Sequence, residues 1–370
     1  MLSVCLIAKN EAENISRAIR SVRDIADEIV VLDTGSSDGT QDIARDAGAV
    51  VIPSEWQDDF SAAYNEVISY AKGEWIFQLD CDEELISESH PEIRDRITEP
   101  DVLAFSILRD DFYTSNQFST MYQVRMFRNR PELRFRGRIH HQFRPSLDVI
   151  ATQLGMRFVE STIRIRHYGY LGEDKTKKLK RAEHLMELEL LDRPQQFYFL
   201  VELGRTKLAL GDSAGVGMLA EAALLACNKA SDSKGPQLAI LLEHVLAANQ
   251  LPDGFPIDHH TAREWAGELF PRSIPLLWQI AQADFAHGRF RECADRLRKI
   301  IQLRDEDRYD KSSSFDPRIM GDDAELNLAV CLIRLGEFRP ATLFLNRLLN
   351  SPTRSREARM NLEAIRRFIR

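Results

Sequence analysis

A chain of 370 residues is too long for one ordinary hydrophobic core and predicts two domains. Its composition, 44% hydrophobic and 29% charged, is that of a globular protein and excludes a disordered one. A net charge of -8 argues against a protein that coats nucleic acid. The five cysteines are odd in number and scattered without a Cys-x-x-Cys pair, which predicts reduced thiols and a cytoplasmic protein. No run approaches the roughly 18 apolar residues of a membrane span, and "MLSVCLIAKNE" reads as a buried first strand, not a signal peptide.

In chain order, "LSVCLIA" is a continuous apolar run that suits a strand covered on both faces. "NEAENISRAIRSVRDIA" follows, with Ile15, Ala18, Ile19 and Val22 at helical spacing and Asn10 able to cap. "DEIVVLDTGSSDGT" is a second buried strand ending in small polar residues, and "TQDIARDAGAVVIPS" adds a helix and a third strand. "FSAAYNEVISYAKGEWIFQLD" repeats the pattern. This alternation predicts an α/β domain with a mostly parallel sheet, whose ligands bind at the carboxyl ends of the strands. Ala8 to Glu11, Asp33 to Thr40 and Asp80 to Asp82 fall at three such ends, so one cleft is expected.

The third end is the most charged. In "FQLDCDEEL", Asp80, Asp82, Glu83 and Glu84 follow an apolar strand, and four carboxylates this close repel unless a cation sits among them. Asp80 and Asp82 are one residue apart, so an extended chain turns both to one side, where they could share a divalent cation with substrate phosphates. A solvated acidic turn has the same bare pattern.

From about residue 174 the strand signals fade. "PLLWQIAQADFAHGRFRECADRLRKIIQL" and "AELNLAVCLIRLGEFRPATLFLNRLLNS" superpose, with Gly288-Arg-Phe290 on Gly336-Glu-Phe338, and an earlier copy turns at Gly211-Asp212. Each is a helix, a Gly turn and a second helix, resembling the tetratricopeptide repeat, with Cys293, Ala341 and Val216 at the close-packed position. "RDEDRYDKSSSFDPR" reads as a loop inserted between copies. The domains are accordingly 1–173 and an all-α repeat domain, 174–370.

The ordered set "AKNE", "LDTGSSDGT", "WQDDFSAAYN", "WIFQLDCDEEL", "VRMFRNRPELRFRGRIHHQF" and "IRHYGYLGEDKTKKLKR" resembles the GT-A glycosyltransferases of family 2, in a bacterial group with tetratricopeptide repeats behind the transferase domain. The resemblance implies a GT-A sheet domain and a metal-dependent, inverting transfer of a sugar from a nucleotide-diphosphate donor, a UDP-sugar being favoured. It implies that Ala8, Asn10 and Glu11 line the base pocket and that Asp33 accepts a hydrogen bond from the base. Asp80 would face the ribose or the metal, Asp82 would bind Mn2+ or Mg2+, and His167 would complete the metal site, or else be a hydrogen-bonded strand histidine.

Six arginines crowd positions 125 to 138, of which Arg125 and Arg128 are the candidates for the diphosphate. Two positions depart from the family pattern. Tyr64 stands where arginine is usual, a lost cation that Arg109 or Arg128 would have to replace. His141, after His140, stands where glutamate is usual. His141 ranks first as the base, ahead of His140, Asp110, Asp111, Glu83 and Glu84. The acceptor is left open between a protein or peptide held by the repeats and a saccharide or lipid-linked group. The competing expectation is an inactive transferase fold serving as a scaffold, to which Tyr64 and His141 would point.

Overall fold

The computed structural model describes residues 1–114, 117–143, 145–171, 175–228 and 235–369. The chain divides into two compact units, Met1–Gln195 with Ala209–Gly211, and Gln196–Leu208 with Asp212–Arg370.

The first unit opens with β1 (Leu2–Ala8), α1 (Ile15–Val22), β2 (Glu28–Asp33), α2 (Thr40–Asp46), β3 (Val50–Pro53), α3 (Phe60–Tyr70) and β4 (Trp75–Gln78). Then come β5 (Glu83–Leu85), α4 (His90–Arg96), β6 (Val102–Thr114), β7 (Gln117–Arg128), β8 (Phe135–Arg136), β9 (Gln142–Phe143), α5 (Leu147–Leu154), β10 (Arg157–His167) and α6 (Lys175–Asp192). Eight strands form one sheet in the order β3-β2-β1-β4-β7-β6-β10-β5. Only β7 and β5 run against the rest, so the sheet is mostly parallel, as the alternating pattern predicts for a GT-A domain.

Apolar side chains are buried on both faces of the sheet. Val4, Leu6, Val31 and Phe77 pack with Ile15 and Ile19 of α1, whereas Cys5, Val30, Leu32 and Ile76 pack with Val67 and Ile68 of α3. That two-sided burial is why "LSVCLIA" reads as unbroken apolar residues. Asn10 does not cap the first helix. It takes a left-handed backbone, φ 57°, and α1 starts five residues later.

The second unit holds α7 (Phe197–Ala209), α8 (Ala214–Cys227), α9 (Pro236–Ala247), α10 (His259–Leu269), α11 (Ile274–Ala286), α12 (Phe290–Asp305), α13 (Asp322–Arg334), α14 (Phe338–Arg347) and α15 (Ser355–Ile369). The expected turns fall between α7 and α8, α11 and α12, and α13 and α14. Gly211, Gly288 and Gly336 there adopt φ of 82°, 72° and 75°, a region glycine enters without a side-chain penalty. Cys293 and Ala341 are buried as expected. In the first pair the close approach is made one residue earlier than Val216. A Cβ on Gly215 would meet the Gly204 carbonyl oxygen at 2.3 Å, so α7 and α8 cross on two glycines. No helix among the described residues is long and apolar enough to cross a membrane.

The boundary differs from the expected 173/174, because α6 belongs to the first unit. Its Glu189 accepts from the Arg138 backbone N–H, and its Lys178 reaches Asp82. Helical periodicity beside a helical domain gave no sign of that allegiance.

Candidate active site

The site is assembled from strand ends. At its left edge the turns after β1 and β2 are stitched together. Asn10 Oδ1 accepts from the Ser37 N–H at 2.8 Å, the Asn10 N–H donates to Ser36 Oγ at 2.8 Å, and the Glu11 N–H donates to Thr40 Oγ1 at 2.8 Å. The Thr34 N–H donates to the Ala8 carbonyl. Asp33 holds its own turn: Oδ1 accepts from the N–H groups of Gly35 and Ser36 and from the Gln41 amide. Asp33 Oδ2 is buried yet has no hydrogen-bond partner in the protein. A buried carboxylate oxygen left open costs free energy unless a ligand supplies a donor.

At the centre, the carboxylates after β4 do have a cation among them, and it is Arg125 of β7. Its guanidinium lies 3.0 Å from Asp80 Oδ2 and 2.8 Å from Glu83 Oε1, with Glu83 wholly buried. Tyr64 donates its hydroxyl to the other oxygen of Asp80. Burial pushes the Asp80 carboxyl up, but Arg125 and the Tyr64 hydrogen bond outweigh it and hold the group below its ordinary value. Burial dominates at Glu83 and raises it to about 7 despite Arg125. Arg125 is therefore spent on carboxylates and is not open to a diphosphate. Arg128 sits three residues further along β7, opposite Trp75 in register, donating to Glu74 and to the Val102 and Glu99 carbonyls. It lies beside the start of β4, not at the carboxyl end where Asp80 follows. Neither Arg109 nor Arg128 stands in for a cation at position 64. Arg109 is occupied by Asp111, 2.9 Å away.

The right side of the site joins Asp82, the end of β10 and α6. His167 Nδ1 lies 2.6 Å from Asp111 Oδ1, and His167 Nε2 lies 3.3 Å from Asp82 Oδ2. Burial lowers the imidazole's affinity for a proton, but the bonds to Asp111 and Asp82 outweigh it and raise His167 to about 9. Burial likewise works against ionised Asp82, and His167 with Lys178 more than offsets it, holding the carboxyl well below its usual range. Lys178 Nζ is 3.1 Å from Asp82 Oδ2 and 2.8 Å from the Gly169 carbonyl. Neither Lys178 nor Gly169 stands out in the sequence; "HYGY" and a lysine-rich helix start gave only the histidine.

Asp82 and His167 fit a divalent ion. Adjacent ligands on a hexacoordinate ion lie about 3 Å apart, close to the observed 3.3 Å. A Cβ on Gly169 would fall 2.1 Å from Asp82 Oδ2 and 2.6 Å from His167 Nε2, so a side chain at this position would crowd both atoms and glycine leaves them room. Asp111 fixes the ring with Nε2 toward Asp82, the usual outer partner of a metal-binding histidine. Among the described residues no group of three or more His, Cys, Asp or Glu could hold a metal ion. The remaining ligands of an ion here would have to be substrate oxygens and water.

The first-ranked candidate base is enclosed. His141 packs its ring against Tyr64 and Phe135, with centroids 5.1 and 4.5 Å away, and the Gln78 amide donates to its Nε2 at 2.9 Å. Burial and then Arg125 push its pKa down to about 4. A lone pair already bonded, beside a fixed guanidinium, is a poor proton acceptor. His140, its neighbour, is exposed on a left-handed backbone, φ 49°. The carboxylate candidates are engaged: Asp110 by Arg164 at 2.6 Å and Thr120 at 2.7 Å, Asp111 by Arg109 and His167, Glu83 by Arg125, and Glu84 by the Tyr168 hydroxyl at 2.7 Å.

The loop carrying His140 is tied down from two sides. The Ser61 hydroxyl donates to the Gly137 carbonyl at 2.6 Å and the Phe60 N–H to the Arg138 carbonyl at 2.8 Å, while Glu189 of α6 holds the Arg138 N–H.

Residues 3–160 match the model of the family described as glycosyl transferase family 2. The chain is 40% identical over 216 residues to a TPR repeat-containing protein of Synechococcus elongatus, covering 57% of this chain and 53% of that one. It is 30% identical over 210 residues to the SPbeta prophage-derived glycosyltransferase SunS of Bacillus subtilis, covering 54% and 47%. The chain thus spans about half the length of these relatives. Among solved structures, glucosyl-3-phosphoglycerate synthase from Mycobacterium tuberculosis, in complex with Mn2+, UDP and glucosyl-3-phosphoglycerate, is 25% identical over 30% of this chain and 44% of that one, with a TM-score of 0.26.

Proposed function

We propose, for a chain whose residues 3–160 belong to glycosyl transferase family 2, a metal-dependent transfer of a sugar from a UDP-sugar to an acceptor nucleophile. The observation that carries this reading is the approach of Asp82 Oδ2 to His167 Nε2 at 3.3 Å, beside a glycine and past the carboxyl ends of the parallel strands β4 and β10. Asp33 Oδ2 is the acceptor for a base N–H, which uracil has at N3, and the Ala8–Glu11 turn beside it lines the base pocket. An imidazole among carboxylates favours Mn2+ over Mg2+. Held by Asp82, His167 and the diphosphate oxygens, the ion would neutralise charge on the departing nucleotide.

Asp80, fixed by Tyr64 and Arg125, faces the ribose side of the same cleft and positions the loop that carries Asp82. Displacement at the anomeric carbon needs the acceptor to lose a proton on the opposite face. His140 takes that role in place of His141, whose ring orients the pocket through Gln78 and Tyr64. The helical unit is the candidate for presenting a protein or peptide acceptor, since such arrays form concave surfaces. The scaffold alternative drew on Tyr64 and His141; the Asp82–His167 pair and the open buried oxygen of Asp33 weigh against it.

Titration calorimetry with UDP, GDP and CDP, with and without Mn2+, tests the proposal, with Asp82→Ala as the control. UDP binding that needs Mn2+ and is lost in the variant is expected. A folded protein that binds no nucleotide under any of these conditions would sink it.

A further inference from the structure

We infer that Lys178 is the resident cation of the metal seat: it holds Asp82 in the donor-free protein, yields that oxygen to the ion, and passes to the nucleoside diphosphate that arrives with it. This inference rests on the metal-dependent reading above. The Lys178 ammonium donates to Asp82 Oδ2 at 3.1 Å and to the Gly169 carbonyl at 2.8 Å. The same Asp82 Oδ2 lies 3.3 Å from His167 Nε2, so an ion held by these two atoms would meet the ammonium on their shared oxygen. A divalent ion and an ammonium that close repel strongly in a half-buried site. One must move.

A bare ion would have to break both lysine bonds and offers the displaced ammonium nothing in return. An ion that comes with a diphosphate brings the anion on which the ammonium can settle. Metal and nucleotide should therefore bind together far better than either alone, which is positive coupling through one side chain. The neighbouring cations cannot take this part. Arg125 and Arg109 are buried against carboxylates, and position 64 is tyrosine. Lys178 lies near the start of α6, which is pinned farther along by Glu189 on the Arg138 backbone and by Asp192 on the Arg138 side chain. Its four-carbon stem can swing while the helix stays in place.

The test measures Mn2+ affinity by electron paramagnetic resonance, with and without UDP, in the full-length chain and in Lys178→Met, with Lys178→Gln as a second variant and circular dichroism as the check on folding. Without UDP, both variants should bind Mn2+ about tenfold more tightly than the parent, a change of roughly 1.4 kcal/mol. With UDP present, the gain in Mn2+ affinity that UDP confers should shrink by about tenfold or more. Unchanged Mn2+ affinity without UDP in both variants, with the parent still binding Mn2+ and UDP together, would overturn the role of Lys178 alone. Failure of the parent to bind Mn2+ even with UDP would overturn the metal-dependent reading, and this inference with it.

Discussion

The Tyr64 hydroxyl donates to Asp80 on the side opposite Arg125, so one carboxylate is held between a phenol from α3 and a guanidinium from β7. Family resemblance places an arginine at position 64. Here that position holds a neutral donor, and the positive charge beside Asp80 comes from Arg125.

The two partners of Asp80 differ in what their loss exposes. Arg125→Met leaves Glu83, wholly buried, and Asp80 without their shared cation. Breaking a buried ion pair from one side costs about 3–5 kcal/mol. Tyr64→Phe removes one hydrogen bond and keeps the ring against Phe135 and His141, a loss of about 1–2 kcal/mol. Thermal melts should rank Arg125→Met well below Tyr64→Phe, and equal melting temperatures would contradict the assignment of Arg125.

Acid should weaken this side of the site through His141. Its pKa is about 4 in the folded protein, against an ordinary value of 6.5. Between those values the unfolded chain takes up a proton that the folded one refuses, so stability falls as pH drops from 6.5 toward 4. His141→Asn removes that contribution. Urea unfolding at pH 7 and pH 5 should show a smaller loss of stability in the variant than in the parent, and equal losses would mean that His141 is not buried neutral.

The metal seat depends on a missing methyl group. In Gly169→Ala the new Cβ falls 2.1 Å from Asp82 Oδ2 and 2.6 Å from His167 Nε2 and must displace both of the atoms that would hold an ion. The glycine does not have a positive φ, so alanine fits the backbone, and the side-chain ends of Asp82 and Lys178 can shift. Mn2+-dependent UDP binding should fall by about a hundredfold, the loss of two good ligand contacts, with only a small change in melting temperature. Unimpaired Mn2+ binding would place the ion elsewhere.

Much of this was legible in the sequence because it depends on local pattern. Unbroken apolar runs gave the buried strands, and polar residues after each run gave the cleft. The Gly turns gave three helix pairs; α9 and α10 are joined by a long segment, with Gly254 inside it, and went unseen. What failed depends on distance across the fold. Arg125 and Arg128 are three residues apart on one strand and look alike as phosphate binders. Only the antiparallel pairing of β7 with β4 puts one beside Asp80 and the other beside Trp75, at opposite ends of the short strand β4. His141 looked like a base until its neighbours showed burial and a bond from Gln78. Lys178 was hidden among the lysines that open α6.

Asp33 offers the sharpest test of nucleobase choice. Its Oδ1 is used by the Gly35 and Ser36 N–H groups and the Gln41 amide, while Oδ2 is buried and open. Uracil presents an N–H at N3, which a carboxylate oxygen accepts, whereas cytosine presents a bare nitrogen there, which repels it. Asp33→Asn keeps an oxygen for the turn and turns an amide N–H toward the base. The expected outcome is weaker UDP binding, by about 1–3 kcal/mol for an unmet buried donor, together with stronger CDP binding. Calorimetry with both nucleotides in the presence of Mn2+ reads this directly. A variant that loses UDP and CDP alike would show that Asp33 shapes the turn without reading the base. Retained preference for UDP would move the base contact to another residue.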